Sequence, residues 1–233
     1  MAAIPIVFLL LFVYVFGDTL GAGIAGGSGG RADYLAYVTP GILLMTIAGG
    51  ATGTAVALAT DVTEGIVARF RTMSVSRASF LTGHALGNVI QAMIAAALVA
   101  GLALVMGFRP TTGPIVWVGA IGLLALTALA FAWLGVPLGL VSKSVGTASN
   151  LPFPLTLLPL LASGFVPTDS LPVGLRWFAE NQPFTPIIET LRGLLFGTAI
   201  GSSGWIALGW CVLLTFVGYI WGRSLYDRDP QPR

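Results

Sequence analysis

Residues 114–141 read PIVWVGAIGLLALTALAFAWLGVPLGLV, a continuous apolar stretch without a charged residue. A helix needs about 20 such residues to cross the hydrocarbon core of a bilayer, so this stretch predicts a transmembrane helix. Comparable apolar runs recur along the rest of the chain. The six predicted helices lie at about 4–17, 36–60, 83–107, 114–141, 149–166 and 203–222.

The composition is that of a membrane protein over the whole length. Charged residues make up 9% of the 233 residues, where about 25% is usual for a soluble domain. The mean hydropathy is +0.91. So few charges could not cover the surface of a soluble protein, which excludes the soluble, disordered and disulfide-stapled classes. We therefore predict one all-α membrane domain over residues 1–233.

Basic residues in the connections predict the orientation, because cytoplasmic loops carry an excess of Lys and Arg. The seven on one side are Arg69, Arg71, Arg77, Lys143, Arg223, Arg228 and Arg233, and the four on the other are Arg31, Arg109, Arg176 and Arg192. The first side is predicted to be cytoplasmic. In the cell membrane, both termini and the loops 61–82 and 142–148 then lie on the cytoplasmic side, and the segment 167–202 lies on the external side.

The first apolar run is short, and no basic residue precedes it. A signal peptide is the competing interpretation, but signal peptides carry positive charge before their apolar region, and residues 1–3 have none. We expect a first membrane helix whose cytoplasmic lead-in is missing from this sequence.

No sequence pattern predicts a catalytic, cofactor or metal site. The Gly-rich stretch 21–30 contains G-x-G-x-x-G and G-x-S-x-G spacings, but it follows an apolar helix rather than a strand. The lone histidine, His84, is predicted at the opposite membrane face. All nine acidic residues fall in connections or at helix ends. Because an ion-driven carrier needs an ionisable group inside the membrane, any pumping must draw its energy from another chain.

The loop 61–82 predicts a short amphipathic helix on the cytoplasmic face. Asp61 and Glu64 have the spacing of a capping box, which predicts the helix start. The apolar stripe comprises Ile66, Val67, Phe70 and Met73, with Arg69 and Arg71 on the opposite side. Such a helix either rests on lipid headgroups or acts as a lever whose apolar face docks on a cytoplasmic motor. The missing ion-coupling site favours the lever.

Half of the 14 prolines lie between residues 150 and 201: Pro152, Pro154, Pro159, Pro167, Pro172, Pro183 and Pro186. The first three remove backbone donors from the predicted fifth helix. This is tolerated where neighbouring helices or a water-filled cavity satisfy the freed carbonyls. The helix therefore lines a pathway or is kinked only for packing.

Two short amphipathic helices are predicted after Pro167, on the external side. One begins near Asp169, and the other has Thr185 as its N-cap and Pro186 at its first position. The second is too short to span a bilayer, so it is re-entrant or lies flat at the surface. Glu189 and Arg192 are predicted to form an exposed ion pair.

Small residues four positions apart predict close helix contacts. The pairs are Gly49 with Gly53, Gly83 with Gly87, Gly135 with Gly139, and Gly218 with Gly222. Together they favour a compact bundle or a dimer. His84, Asn88 and Gln91 share one face of the third helix, where inter-helical hydrogen bonds are the favoured interpretation.

Three stretches resemble the ABC-2 type transport permeases, in particular their daunorubicin-resistance branch. They are DVTEGIVARFRTMSVSR at 61–77, followed by Thr82, Gly83 and His84; FPLT at 153–156, leading to SGFVPTD at 163–169; and NQPFTPIIETLRG at 181–193. The likeness covers essentially the whole chain. It departs at the start, where relatives begin with an amphipathic cytoplasmic helix, and at residues 74–75, where many have Pro-Ile.

The resemblance implies six helices in each of two permease subunits, which work with two separate ATP-binding subunits. It implies that the loop after the second helix couples ATP binding to movement of the helices. The coupling residues are then Asp61, Glu64, Gly65, Ile66, Arg69, Phe70, Arg71, Met73 and Arg77. The predicted pathway or gate residues are Pro152, Pro154, Pro159, Phe184, Pro186, Glu189 and Arg192.

The leading hypothesis is the permease subunit of an ATP-driven exporter that moves a drug, lipid or glycan-like substrate. Its expected partners are a cytoplasmic ATP-binding subunit, a second permease in a homodimer or heterodimer, and the lipid bilayer, but no nucleic acid and no cofactor. The alternative is a passive channel or a membrane assembly factor without an ATPase partner. An intramembrane hydrolase is a distant third.

Overall fold

The structure is a computed structural model that describes residues 2–24, 29–66 and 77–228, and the side chains of these except at 77, 78, 227 and 228. Within these ranges every regular element is a helix. The α-helices are α1 (Ala3–Val15), α2 (Gly17–Ile24), α3 (Arg31–Thr63), α4 (Arg77–Val105), α5 (Pro114–Val141), α6 (Val145–Asn150), α7 (Phe153–Leu157), α8 (Val173–Asn181), α9 (Phe184–Phe196) and α10 (Ser203–Arg228). Short 3-10 helices lie at Leu158–Leu161 and Thr168–Ser170.

Four of these helices are long and apolar enough to cross a membrane: α3, α4, α5 and α10. They correspond to the predicted helices at 36–60, 83–107, 114–141 and 203–222. The count rises to five if α1 and α2 together form one bent crossing. The all-α membrane class is therefore confirmed, whereas the number six is not reached by uninterrupted helices.

Helix α3 is the centre of the molecule. Its middle third is almost wholly buried, including Ile42, Leu44 and Ile47, which have no exposed surface. Helix α5 packs tightly on α3 because α5 carries glycine at the contact. A Cβ added to Gly139 would lie 2.7 Å from the carbonyl oxygen of Ala55, which is too close for any side chain.

Helix α10 also packs closely on α5, and here too glycines lie at the contact. A Cβ on Gly218 would lie 2.6 Å from the backbone of Trp133, and one on Gly222 would lie 2.8 Å from Val136. Two of the four predicted glycine pairs therefore build contacts within one chain. By contrast, a Cβ on Gly49, Gly83 or Gly87 would meet nothing within 4 Å.

The predicted first span, 4–17, forms the 13-residue α1. At 1.5 Å per residue this helix is about 20 Å long, shorter than a hydrocarbon core of about 30 Å. The chain then bends by 74° into α2. Arg31 at the start of α3 holds α2 in place through an ion pair of 3.0 Å with Asp18.

The predicted helix at 149–166 is not continuous. It is divided into α6, α7 and the 3-10 turn Leu158–Leu161, with Pro152 at the N-cap of α7 and Pro159 inside the 3-10 turn. The division has a clear cause, since proline lacks a backbone N–H and its ring clashes with the preceding helical turn. Apolar composition alone predicted one helix here, but the prolines divide it.

Residues 145–166, which we call the broken segment, nevertheless run along much of the length of α3. Ala148 packs with Ala55 and Ala59, near the end of α3. Gly164 lies against Gly41, near its beginning, with so little room that a Cβ on Gly41 would approach Gly164 Cα to 2.8 Å. From Gly41 to Ala59 α3 rises about 27 Å, close to the thickness of a hydrocarbon core.

Helices α8 and α9 follow in the chain and lie near the N-terminal end of α3. Helix α8 starts at Val173, not near Asp169, because residues 168–170 form a separate 3-10 turn. Helix α9 starts at Phe184 with Pro183 as its N-cap, two residues before the predicted cap Thr185. Gly197 closes α9 with φ +70°.

Candidate functional site

Two sites follow from the sequence predictions, one at each end of α3. The first is a groove between the last turns of α3 and the first turns of α4, with a volume of about 570 Å³. We call it the α3–α4 groove. It is lined by Gly53, Thr54, Ala57, Asp61, Ser79, Phe80, Gly83, His84, Gly87, Asn88 and Gln91.

A short polar contact between His84 and Asp61 lies in the wall of the α3–α4 groove. His84 Nε2 lies 2.9 Å from Asp61 Oδ2, and the two side chains are 19% and 24% exposed. The sequence predicted that His84 and Asn88 make inter-helical contacts, and His84 does so through Asp61. Asn88 is 6% exposed, and its Oδ1 atom has no hydrogen-bond partner.

Asp61 and Glu64 do not begin a helix, which corrects the predicted capping box. Asp61 lies in the last turn of α3, and Glu64 is the C-cap, with its N–H donating to the Thr60 carbonyl. Gly65 ends the helix with φ +73°, a backbone conformation that glycine adopts without steric cost. Asp is frequent at helix N-caps, whereas Gly is frequent just after helix C-termini. Here Gly65 marks the C-terminus of α3, and Asp61 does not cap a new helix.

The remaining coupling predictions fall partly outside the described residues. Ile66 is half-buried just after the turn at Gly65. Arg77 begins α4, with no description of its side chain. The predictions for Arg69, Phe70, Arg71 and Met73 lie outside the described residues.

The second site, where α9 meets α3 and the broken segment, is built around Arg192. Its guanidinium donates to Glu189 Oε1 at 2.7 Å, to the Tyr37 carbonyl at 3.2 Å and to the Ser163 carbonyl at 3.0 Å. It also lies 4.1 Å from the centroid of the Tyr37 ring, a cation–π contact. We call these four residues the Arg192 cluster.

The Arg192 cluster differs from the exposed ion pair that the sequence predicted. The pair with Glu189 is present, but Arg192 is 16% exposed. A cation withdrawn from water needs hydrogen bonds in compensation, and the Arg192 cluster supplies them through two backbone carbonyls and a ring face. The arrangement joins α9, α3 and the broken segment at one point.

Polar side chains around the Arg192 cluster hold the broken segment to the region of α8 and α9. Gln182 donates to the Leu161 carbonyl at 3.0 Å, and the Thr185 hydroxyl accepts from Ser163 N–H at 3.3 Å. These contacts occupy backbone groups that a continuous helix would have paired internally. Gln182 and Thr185 thus compensate for the break made by the prolines.

The other predicted gate residues are mostly packing residues. Phe184 is buried and stacks on Phe131 of α5 with ring centroids 5.4 Å apart. Pro186 and Pro159 are buried, and Pro154 lies within α7. Pro152, Pro154 and Pro159 therefore shape the broken segment, whereas Phe184 and Pro186 anchor α9 in the core.

A second arginine also forms ion pairs, but its side chain is more exposed than that of Arg192. Arg176 of α8 pairs with Asp169 at 2.6 Å and with Glu180 at 2.8 Å. The hydrogen bond to Glu180, followed by the charges of Asp169 and Glu180, raises the pKa of Arg176. Its side chain is 45% exposed, so these are surface ion pairs.

The long apolar helices and the proline-broken segment define the class: a multi-pass helical membrane protein. Among the described residues no group of His, Cys, Asp and Glu side chains could hold a metal ion. The sequence profile of the ABC-2 type transporter family matches residues 1–196, and the chain belongs to that family. Permeases of this family are the membrane subunits of transporters rather than catalytic chains.

Individual relatives agree with this assignment. The chain is 28% identical over 197 residues to the daunorubicin resistance ABC transporter permease protein DrrB1 of Streptomyces coeruleorubidus, covering 84% of this chain and 67% of that one. It is 26% identical over 215 residues to the probable doxorubicin resistance ABC transporter permease protein DrrC of Mycobacterium tuberculosis, covering 90% and 75%. It is also 27% identical to ABC transporter G family member 20 of Dictyostelium discoideum, covering 85% of this chain but 28% of that protein.

Sequence reasoning missed Tyr37 and Ser163 as partners of Arg192. The i,i+3 spacing of Glu189 and Arg192 was a visible signal, because such residues are neighbours on a helix surface. Tyr37 is 155 positions away from Arg192, and no local pattern connects them. Only the packing of α9 against α3 brings these residues together.

Proposed function

We propose that the chain is the membrane-spanning permease subunit of an ABC exporter. It moves a drug, lipid or glycan-like substrate out of the cytoplasm, and a separate cytoplasmic subunit hydrolyses the ATP. The observation that carries this proposal is the family match over residues 1–196. The drug-resistance names of the relatives support a drug or another amphipathic substrate.

The proposed topology has six crossings with both termini in the cytoplasm of the cell membrane. The four long helices supply four crossings. The broken segment supplies another, supported by its contacts near both ends of α3. Helices α1 and α2 together supply the first as a bent crossing. Lys143 and Arg223 then face the cytoplasm, in agreement with the excess of basic residues there.

The proposed coupling region is the connection between α3 and α4. It lies at the cytoplasmic end of the molecule in this topology, and its apolar stripe and its two arginines suit docking on an ATP-binding subunit. Glu64, Gly65 and Ile66 form the turn that leads into it. Phe70→Ala and Arg69→Glu are the variants in this region that should weaken ATP hydrolysis without affecting membrane insertion.

The proposed outer gate is α9 with the Arg192 cluster. Helix α9 has 13 residues, or about 20 Å, which suits a re-entrant or surface element rather than a crossing. A second permease subunit, the same chain or a related one, is proposed to complete the pathway. Cysteine pairs that bridge α9 across such a dimer should block export reversibly.

The experiment that tests this proposal is affinity purification of the chain from its native host in mild detergent, followed by mass spectrometry and an ATPase assay. We expect a stoichiometric ATP-binding subunit and vanadate-sensitive hydrolysis, which Phe70→Ala lowers. A homo-oligomer without any ATP-binding partner would favour a passive channel or an assembly factor instead.

A further inference from the structure

We propose that His84 is a positioning residue that acts through Asp61 to hold together the two ends of the connection between α3 and α4. This inference rests on the proposed function, because it takes that connection as the coupling region. Neither residue is proposed to touch substrate or nucleotide. Their role is to make α3 and α4 move as one unit when a partner pushes on the connection.

The geometry places the pair where such a role requires it. Asp61 lies in the last turn of α3, two residues before its end, and His84 lies in the second turn of α4. The chain between them leaves α3 at the Gly65 turn and returns at Arg77. The 2.9 Å contact between His84 Nε2 and Asp61 Oδ2 therefore closes the base of the connection.

The imidazole of His84 is also fixed on a second side. The ring of Phe80, one helical turn earlier, meets it edge-on with centroids 4.8 Å apart. Phe80 in turn lies 6.3 Å from the ring of Tyr226, near the end of α10. Tyr226 is 4% exposed and belongs to a core cluster with Trp133 of α5. The pair thus links the end of α3 to α4 and, through aromatic packing, to α10.

The surroundings of the pair strengthen the interaction. Both side chains are more than three-quarters buried, and a contact withdrawn from water is screened less than one at the surface. The contact between α3 and α4 beside the pair is also close, since a Cβ on Gly50 of α3 would lie 2.7 Å from Asn88 Oδ1 of α4. Without the pair, the two helix ends would be held only by apolar packing such as the cluster that contains Leu58, Leu81 and Ala85, and they would separate more readily under a push on the connection.

The test measures the separation of α3 and α4 in the isolated permease, so it needs no ATPase partner. Spin labels are attached at Thr63→Cys and Ile94→Cys, both exposed positions, in a Cys211→Ala background. Distances are then recorded by double electron–electron resonance in lipid nanodiscs. We expect Asp61→His and His84→Asp each to broaden the distance distribution, and the double variant with the exchanged pair to narrow it again.

A matched control and a second variant keep the result decisive. Gln91→Ala changes an exposed residue of the same groove that is outside the pair, and it should leave the distribution unchanged. If a single exchange variant fails to insert, Asp61→Ala removes the acceptor of the contact and should broaden the distribution. Unchanged distances in the single variants would overturn the proposal, and so would an exchanged pair that stays as broad as they are.

The outcome is separable from the fate of the proposed function. If the exchanged pair restores the distance but no ATP-binding subunit purifies with the chain, the positioning role stands and the exporter assignment fails. Where the partner is present, permease-dependent ATP hydrolysis should fall in each single variant and return in the exchanged pair. A rate of ATP hydrolysis that is unchanged in all of these variants would overturn the coupling role of His84.

Discussion

At the scale of single residues, Arg192 has the largest set of polar contacts described in the molecule. Its donors serve a carboxylate and two carbonyls on three different segments, and its planar face lies on the Tyr37 ring. Lysine could not reproduce this arrangement, because an ammonium group lacks the planar fork of donors. The guanidinium therefore fixes the position of α9 through geometry as much as through charge.

Arg192→Ala should destabilise the protein by about 2 kcal/mol, because it leaves largely buried acceptors without a donor. The measurement is thermal unfolding of the purified permease in detergent. Arg176→Ala is the matched control, since Arg176 also pairs with acidic residues but is exposed. Equal effects of the two substitutions would contradict the importance given to burial.

The turn that ends α3 depends on the backbone freedom of one residue. Gly65 has φ +73°, and a Cβ there would meet no atom within 4 Å, so backbone strain alone opposes a side chain. Gly65→Ala should cost about 1 kcal/mol, whereas Gly65→Asn should cost less because Asn tolerates the left-handed region better. Unfolding of both variants should be compared with Gly87→Ala, where a side chain also meets open space but the backbone is ordinary helix.

At the scale of elements, the contact between α3 and α5 depends on the absence of side chains at two positions. A Cβ on Gly135 would lie 2.8 Å from Thr54 Cβ, and one on Gly139 would lie 2.7 Å from the Ala55 carbonyl oxygen. Because these obstacles include backbone atoms of α3, they cannot move aside cheaply. The two helices must separate if either glycine is replaced.

Gly135→Val should therefore destabilise the bundle by about 1–3 kcal/mol or more, the usual cost of overpacking a tight core. The readouts are thermal unfolding and the fraction of monodisperse protein in size-exclusion chromatography. Gly122→Val on the same helix is the control, since a Cβ there meets nothing within 4 Å. If both variants behaved alike, close packing at Gly135 would not explain the use of glycine.

The long helices could be predicted from the sequence, because a run of apolar residues longer than a bilayer is thick has few alternatives. Thus 36–60, 114–141 and 203–222 all fall inside observed helices. The segment 149–166 was harder, since apolar content predicts a crossing but does not say where prolines interrupt it. Asp61 was misassigned as a helix start because its local pattern also fits an N-cap.

The Arg192 cluster was predictable only in part. The pair of Glu189 and Arg192 follows from spacing on one helix, but its burial does not. Burial results from the docking of α9 on Tyr37 and Ser163, and these lie far away in the sequence. Likewise, the sequence grouped His84 with Asn88 on one face, while Asp61 was assigned to a different element.

At the scale of the whole molecule, the decisive question is whether the chain between α5 and α8 crosses the membrane. The contacts of Ala148 with Ala59, and of Gly164 with Gly41, place the two ends of this segment about 27 Å apart along α3. If α3 spans the bilayer, residues on either side of the segment must face opposite compartments. Lys143 and Val173 are exposed residues that flank it.

Labelling of single cysteines with a membrane-impermeant maleimide tests this arrangement in intact cells. In a Cys211→Ala background, Val173→Cys should react from outside, whereas Lys143→Cys and Thr63→Cys should react only after permeabilisation. This outcome is expected because the excess of basic residues orients the second group inward. Reaction of Val173→Cys and Lys143→Cys from the same side would mean that the broken segment does not cross. Reaction of Lys143→Cys and Thr63→Cys alone in intact cells would keep the crossing but invert the orientation, so the cytoplasmic assignment of the coupling region would fail with it.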